Sequence, residues 1–386
     1  MRSSQRPYSG TSGTNTSGAL LLASNAAIDV GGSVNMDVVK SVGGGIGGAA
    51  IYLSLGTLNS AETNAGSRTL IRGGTVNISM TLSGTNTFGL FGQHAAGIEA
   101  TNGDFSITAT YTGSGSTSGN GIWMGSGWNS SYAPASSILK STNGKVTAQS
   151  VVSGTSADGG LVFAGTAISA TNDINLKAQI TDATKPAISI ANEFNNPKIN
   201  SITGNVLIQS NSGAVRMSSL TAAAITGGNI TIDNTGSTLS RDANGNYIKG
   251  SGTYTGTSGS SVQLSGSGTG IQAAGNLDII GVSNASGGSG VVQTGTNISG
   301  GRVSIQGENL GTGSGSTNGF YNTGDITSAA GDVYIRGISL RDNALSIQGG
   351  ITGKTDVIVI GQSGDASNTA SSWGLYLNKA VTAQTG

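Results

Sequence analysis

The sequence predicts an all-β protein: a right-handed parallel β-helix with about three short strands per coil and roughly 12–14 coils. Three observations carry this. A short alternating segment recurs from end to end, a turn signal rich in Gly, Asn or Asp precedes each copy, and no segment sustains the i, i+3, i+4 spacing of a helix.

In the first half the copies begin at Val34 (GGSVNMDV), Val76 (GGTVNISM), Phe105 (NGDFSITA), Val146 (NGKVTAQ) and Ile174 (TNDINLKA). In the second half they begin at Val206 (TGNVLIQS), Ile230 (GGNITIDN), Leu277 (AGNLDIIG), Val303 (GGRVSIQG), Val333 (AGDVYIRG) and Val357 (KTDVIVIG). Successive starts are 42, 29, 41, 28, 32, 24, 47, 26, 30 and 24 residues apart. The short steps define a unit of roughly 24 to 32 residues, the size of a stacked repeat. The long steps carry insertions or hide a degenerate copy, for which Val262 (GSSVQLSG) is the candidate.

Alternation sends every second side chain to one face of a strand. Val76, Ile78 and Met80 share one side, and Asn77 and Ser79 the other. Two weaker strand signals accompany each copy. One follows a glycine, at Ile98, Ile122, Leu161, Ile271, Val291, Phe320 and Leu375. The other precedes the main strand, at Ile168, Ile202, Ile225, Ile298, Ile326 and Ile351. Three such strands close a triangular coil. One coil cannot hold itself together, because ordering costs about 1–2 kcal/mol per residue while a few buried aliphatics return roughly 1.5–3 kcal/mol each. Stacking removes the deficit and makes the strands parallel, with right-handed crossovers. Gly, Asn and Asp at the corners suit positive φ. A β-sandwich also has many short strands, but no unit of this size repeating along the chain. The expected organisation is a polar extension over 1–18 and one continuous solenoid over 19–386, with insertions near 43–66, 113–141 and 240–259.

Composition narrows the function classes. Eighteen basic and eighteen acidic residues cancel, so no electrostatic footprint marks a nucleic acid or an anionic membrane as partner. Cys is absent, which removes disulfides, thiolate nucleophiles and Cys-based metal sites. The only apolar run near the start, Ala19 to Ala23, is too short for a secretory core, and no window is long enough for a spanning helix. The 66 glycines do not recur every third residue, so collagen is excluded.

The segments ITGGNITIDNTG (225–236), ISGGRVSIQG (298–307) and ITSAAGDVYIRG (326–337) resemble the passenger repeats of filamentous haemagglutinin-like adhesins. The resemblance covers most of the chain from Gly31 onward. It implies a non-enzymatic β-solenoid exported by two-partner secretion, or as an autotransporter passenger, to the exterior or the bacterial cell surface. Missing Cys suits a chain that crosses a membrane unfolded. Neither the amino-terminal secretion domain nor a barrel domain of that family is visible, which fits a central segment of a larger protein. Its implied partners are a host, cell-surface or glycan receptor.

Candidate chemistry is sparse. Fourteen Asp and four Glu include no two that are adjacent or two apart, as a strand-borne glycosidase pair requires. Stacked pairs from neighbouring coils remain conceivable, with Asp233 and Asp278 as the example. His94 has no second His or Ser–acid partner, and residues 42–50 (VGGGIGGAA) lack the Lys–Ser/Thr ending of a phosphate loop. The expectation is no catalytic residue, no metal and no cofactor. The aromatic run GIWMGSGWNSSY (121–132) stands out. If Ile122 and Met124 point inward, Trp123 points outward, with Trp128 and Tyr132 in a polar loop beside it. These three are the candidate ligand or partner contacts, or else they cover the neighbouring insertion. Trp373 shares parity with Leu375 and Leu377 and is expected inside. Six Asn-x-Ser/Thr triplets, at Asn15, Asn77, Asn129, Asn229, Asn284 and Asn297, are candidate glycosylation sites. Unpaired terminal coils would allow head-to-tail self-association, the alternative being a filament of a matrix or sheath.

Overall fold

The structure, a computed structural model, describes residues 19–23, 26–41, 49–54, 68–83, 88–93, 95–112, 120–125, 137–153, 159–182, 185–191, 198–236, 240–241, 247–248, 259–312, 318–364 and 373–385. The chain divides into two compact units, residues 1–182 with 189–204, and residues 183–188 with 205–386. Each is a parallel β-solenoid, and no helix occurs among the described residues.

In the first unit five long strands form one parallel ladder: Ser33–Lys40, Thr75–Leu82, Phe105–Tyr111, Val146–Val152 and Ile174–Ile180. A second ladder joins Leu20–Ala23, Ile51–Ser54, Leu90–Gln93, Asn120–Gly125 and Gly159–Ala164. A third joins Ala27–Asp29, Thr69–Gly73, Ala96–Ala100, Ser137–Ser141, Thr166–Ala170 and Ile199–Ser201. The second unit repeats the plan. Its long ladder is Val206–Ser212, Ile230–Asp233, Asn276–Ser283, Arg302–Asn309, Val333–Ser339 and Val357–Ser363. Its short strands include Ala214–Leu220, Phe320–Asn322, Leu345–Ile347 and Leu375–Leu377 on one side. On the other are Ile225–Gly227, Ile326–Ser328, Ile351–Gly353 and Val381–Ala383. Val262–Ala273 and Val291–Gly300 run through both short ladders without a break. Gly268 and Gly295 bend them there at φ of 65° and 69°, where a side chain would be strained.

All eleven sequence-predicted starts fall in matching register, Val34 beside Val76 beside Phe105 in the first unit and Val303 beside Val333 beside Val357 in the second. Inward rows are aliphatic and closed to solvent, as at Ile78–Ile107 and Ile279–Ile305. Several weaker expectations need correction. Val262 begins the strand Val262–Ala273, which lies in the short ladders beside Val215 and Val291, and Ile230 pairs directly with Leu277, so among the described residues the 47-residue step adds no strand to the long ladder. Ile98 and Ile271 belong to the ladder before the long strand, in the rows of Ile71 and Ile298. Ile202 is exposed in a turn, and Ile199 takes the inward place beside Ile168. The segments 43–66 and 113–141 contain ladder strands, Ile51–Ser54 in the first and Asn120–Gly125 and Ser137–Ser141 in the second.

Corner chemistry also differs from the expectation. Among the described residues no Asn or Asp has positive φ; the non-glycine cases are Ala95, Ser219 and Ala223. Corner Asn and Asp instead tie one coil to the next. Asn205 Oδ1 accepts from Asn229 N at 2.9 Å, and Asn229 Oδ1 accepts from Asn276 N at 2.8 Å. Asp325 N donates to Asn297 Oδ1, and Gly350 N donates to Asp325 Oδ1, both at 2.8 Å. Hydroxyls do the same, Ser141 donating to Gly103 O and Ser201 to Asn172 O at 2.7 Å each. On an outer face of the first unit Arg72 bridges Asp29 and Glu99 at 3.2 and 3.0 Å.

One inward row carries a charge. Lys40 shares its row with Leu82, Tyr111, Val152 and Ile180, and burial pulls its ammonium down to about 8. The unfolded chain holds that proton to about pH 10.4, so the folded state gains stability as pH rises from about 8 through about 10.4. Lys40→Met therefore raises the melting temperature at neutral pH, and the gain shrinks across that window in thermal melts. A gain independent of pH would contradict burial of the charge as its cause.

Candidate functional site

The short strands of the first unit place an aromatic stack outside the aliphatic interior. Tyr52, Phe91 and Trp123 are register neighbours in one row, between Leu21 and Val162. Ile122 and Met124 on either side of Trp123 are fully buried, so alternation turns the indole outward as the sequence predicts. The Phe91 and Trp123 ring centroids lie 4.5 Å apart with planes 11° from parallel. Tyr52 stacks on the other face of Phe91 at 5.7 Å and 6°. Phe88 meets Phe91 edge-on at 5.2 Å, and Ala49 packs in the same cluster. Offset and edge-to-face pairs of this kind add about 0.5–1.5 kcal/mol beyond area burial. Phe91 is thus only 1% exposed although it faces away from the coil interior.

Two polar details fix the stack. Gln93 Nε2 donates to Tyr52 Oη at 2.6 Å. The Trp123 indole lies over Gly125, where an added Cβ would sit 2.7 Å from Cη2. The partly buried Trp123 and Tyr52 form the accessible part of the cluster. Of the three sequence-predicted contacts, Trp123 is placed here, while Trp128 and Tyr132 lie outside the described residues, as does His94. Sequence reasoning missed Tyr52 and Phe91. Their strands are short, and the register that stacks them emerges only after the intervening insertions are paired coil to coil.

The second unit holds the conceivable acid pair. Asp233 lies opposite Ile280, two positions from Asp278 on the adjacent strand, so both carboxylates face outward on neighbouring coils. Such a diagonal spaces side chains by about 7–8 Å, within the range of a glycosidase pair. Their burial argues against that use: Asp233 and Asp278 are 0% and 1% exposed, and Ser304, Gln306 and Glu308 on the next strand are buried as well. Gln209 Nε2 and Thr235 N donate to Asp233 at 2.9 and 2.7 Å, and Glu308 pairs with Arg336 at 3.2 Å. The warning in the sequence is the near-continuous apolar run in NLDIIGVS, the mark of a strand covered on both faces. Among the described residues no group of three or more His, Asp or Glu side chains forms a metal site, and no helix is long and apolar enough to cross a membrane.

Trp373 is a correction. It precedes the strand Leu375–Leu377 at a corner, where its N–H donates to Asn343 Oδ1 at 2.8 Å and its ring is exposed. Among the triplets, Asn77 is exposed on the outer face, whereas Asn229 and Asn297 use their side-chain oxygens in corner bonds. Asn15 and Asn129 lie outside the described residues.

Compared with known proteins, the chain matches no family profile, no curated protein and no solved structure.

Burial raises the Asp233 carboxyl above its ordinary value, against the opposing effect of its hydrogen bonds. The unfolded chain releases that proton near pH 4, so folding loses stability as pH climbs from about 4 through the raised value. Asp233→Asn removes this loss, and its melting temperature should exceed that of the native chain by more at pH 7 than at pH 4. An equal difference at both pH values in calorimetry would contradict an ionised, buried Asp233.

Proposed function

We propose that the chain is a non-enzymatic segment of an extracellular or bacterial cell-surface adhesin of the filamentous haemagglutinin-like type, attaching to a cell-surface or glycan receptor. The observation that carries this reading is the Tyr52–Phe91–Trp123 stack. A solenoid interior needs no aromatic row on its outside, yet this one stands where residues 55–67 and 126–136 leave the strands that bear Tyr52 and Trp123. Trp128 and Tyr132 follow in the second of these segments. Aromatic side chains flanked by Ser, Asn and Gly offer apolar faces and neutral hydrogen-bonding groups, the chemistry that suits an uncharged sugar. The long steps supply specificity, and the stacked ladders supply a fixed support.

Burial of Asp233 and Asp278 favours binding without cleavage. A glycan array and a cell-layer assay test the reading. The native chain should bind, and Trp128→Ala with Tyr132→Ala should weaken binding about tenfold, or about 1.4 kcal/mol, with an unchanged melting temperature. A reducing-end assay on the bound glycans should stay flat. Sugar release, or no binding to any glycan or cell surface, would overturn the proposal.

A further inference from the structure

A lone arginine on an outer face of the second unit has no partner to explain it. Arg216 lies in Ala214–Leu220 between Val215 and Met217, which are 0% and 1% exposed, so alternation turns it outward. Its row runs on through Gln263, Val292 and Tyr321. In the four strands that carry this row it is the only charged residue. Among the described residues no carboxylate pairs with it, and its buried Nε has no hydrogen-bond acceptor. Arg72 and Arg336, by contrast, each hold a glutamate at 3.0 and 3.2 Å. An unmet guanidinium N–H is costly to keep beneath a surface, and an arriving acceptor would relieve it.

The surroundings are neutral and polar. Gln263 stands beside Arg216 in register, and its Nε2 donates to Ser260 O at 3.3 Å. Past Met217 the register slips. Met217 pairs with Leu264 and Leu220 with Gly266, so Ser218 and Ser219 together oppose Ser265. This bulge holds Ser219 at a φ of 57°, a left-handed conformation that is unfavourable for serine. Removing one residue would restore the register, so closing the coil does not call for it. The bulge sets two serines within reach of solvent next to Arg216. Further along the row the half-buried Tyr321 lies three strand spacings away, about 14 Å.

We infer that Arg216 captures the carboxylate of an acidic sugar, a uronic or sialic acid within an oligosaccharide. The planar guanidinium takes a carboxylate side-on through Nε–H and one Nη–H. Rotation about the outer side-chain bonds brings that edge to the ligand, and no Nε hydrogen bond has to break first. One guanidinium balances one negative charge. A phosphomonoester, at about two negative charges, calls for a second cation, and these four strands have none. Gln263, Ser218 and Ser265 meet the sugar hydroxyls, and Tyr321 offers an aromatic face to a further residue of the glycan. The ligand class differs from the uncharged sugar assigned to the aromatic stack, so either site stands without the other.

The test uses the full chain and two fluorescein-labelled probes, sialyllactose and trigalacturonic acid, followed by anisotropy. Their carboxyl methyl esters are the neutral controls. Saturable binding of at least one acidic probe is expected, at least about tenfold weaker for its ester and for Arg216→Gln. Arg216→Gln keeps or raises the melting temperature, because a buried donor without an acceptor is removed. Arg216→Lys, which keeps the charge and loses the fork, also binds more weakly than the native chain. If Arg216→Gln fails to fold, the esters decide, since they need no variant. Trp128→Ala with Tyr132→Ala leaves this binding unchanged, which separates a failure here from a failure of the attachment reading. No saturable binding, equal binding of the esters, or native-like binding by folded Arg216→Gln would overturn the inference. So would loss of the probe with Trp128→Ala and Tyr132→Ala, or equal competition by a capped Gly-Asp-Gly peptide, since the ligand would then sit elsewhere or need no sugar.

Discussion

Everything in each unit depends on inward side chains standing in register from coil to coil. A lone coil buries its aliphatics on the sides but leaves them open above and below, and its strands have no ladder partners. Placing Ile78 beside Ile107, or Ile305 beside Ile335, closes both deficits in one step. Each such side chain contributes roughly 1.5–3 kcal/mol by burial, and the backbone groups on both edges are satisfied by neighbours. The corner bonds of Asn205, Asn229 and Asp325 reinforce that register, because a slipped coil would leave their oxygens facing the wrong N–H. Lys40 puts a charge in an otherwise aliphatic and aromatic row, with Leu82, Tyr111, Val152 and Ile180 as its row members.

The outer faces are free to vary, and the two units use that freedom differently. Thr75–Leu82 alternates cleanly between exposed and buried residues, whereas Asn276–Ser283 is buried on both faces. In the first unit an outward row of the short strands has become an aromatic stack. In the second, outward carboxylates are buried and hydrogen-bonded. Both departures lie outside the aliphatic interior, so neither is explained by closing a coil. Function on such a scaffold resides in what the outer rows and insertions carry, and the fold alone specifies no ligand.

The long ladder was legible because its signal is local. An alternating run after a turn, seven or eight residues long in ten strands and four in Ile230–Asp233, marks each one, and all eleven starts lie where alternation puts them. The short strands were harder, since three residues cannot show a period. Ile202 looked inward by analogy with Ile168, yet Ile199 holds the place, and the glycine before Ile98 does not distinguish one short ladder from the other. Trp123 could be turned outward from its neighbours alone. Its stacking on Phe91 could not be read, because that contact joins residues 32 apart in successive coils, on either side of the long strand Phe105–Tyr111. Asp233 and Asp278 were likewise visible as strand residues, while their burial depends on what covers the sheet. Trp373 was misjudged because parity was extended past the end of a three-residue strand into a corner.

The absence of Cys makes the register directly measurable by paired cysteine substitution. Asn77 and Ser106 are outward register partners in the first unit, and Tyr334 and Ile358 are the counterparts in the second. Adjacent strands lie about 4.8 Å apart, within the Cα range of a disulfide, whereas a partner two residues out of step lies beyond about 7 Å. Asn77→Cys with Ser106→Cys, and Tyr334→Cys with Ile358→Cys, should therefore oxidise to intramolecular disulfides in the folded chain. Asn77→Cys with Thr108→Cys, two positions out of register, should not. Crosslinking of the offset pair as readily as the matched ones, or failure of both matched pairs, would contradict stacking in this register.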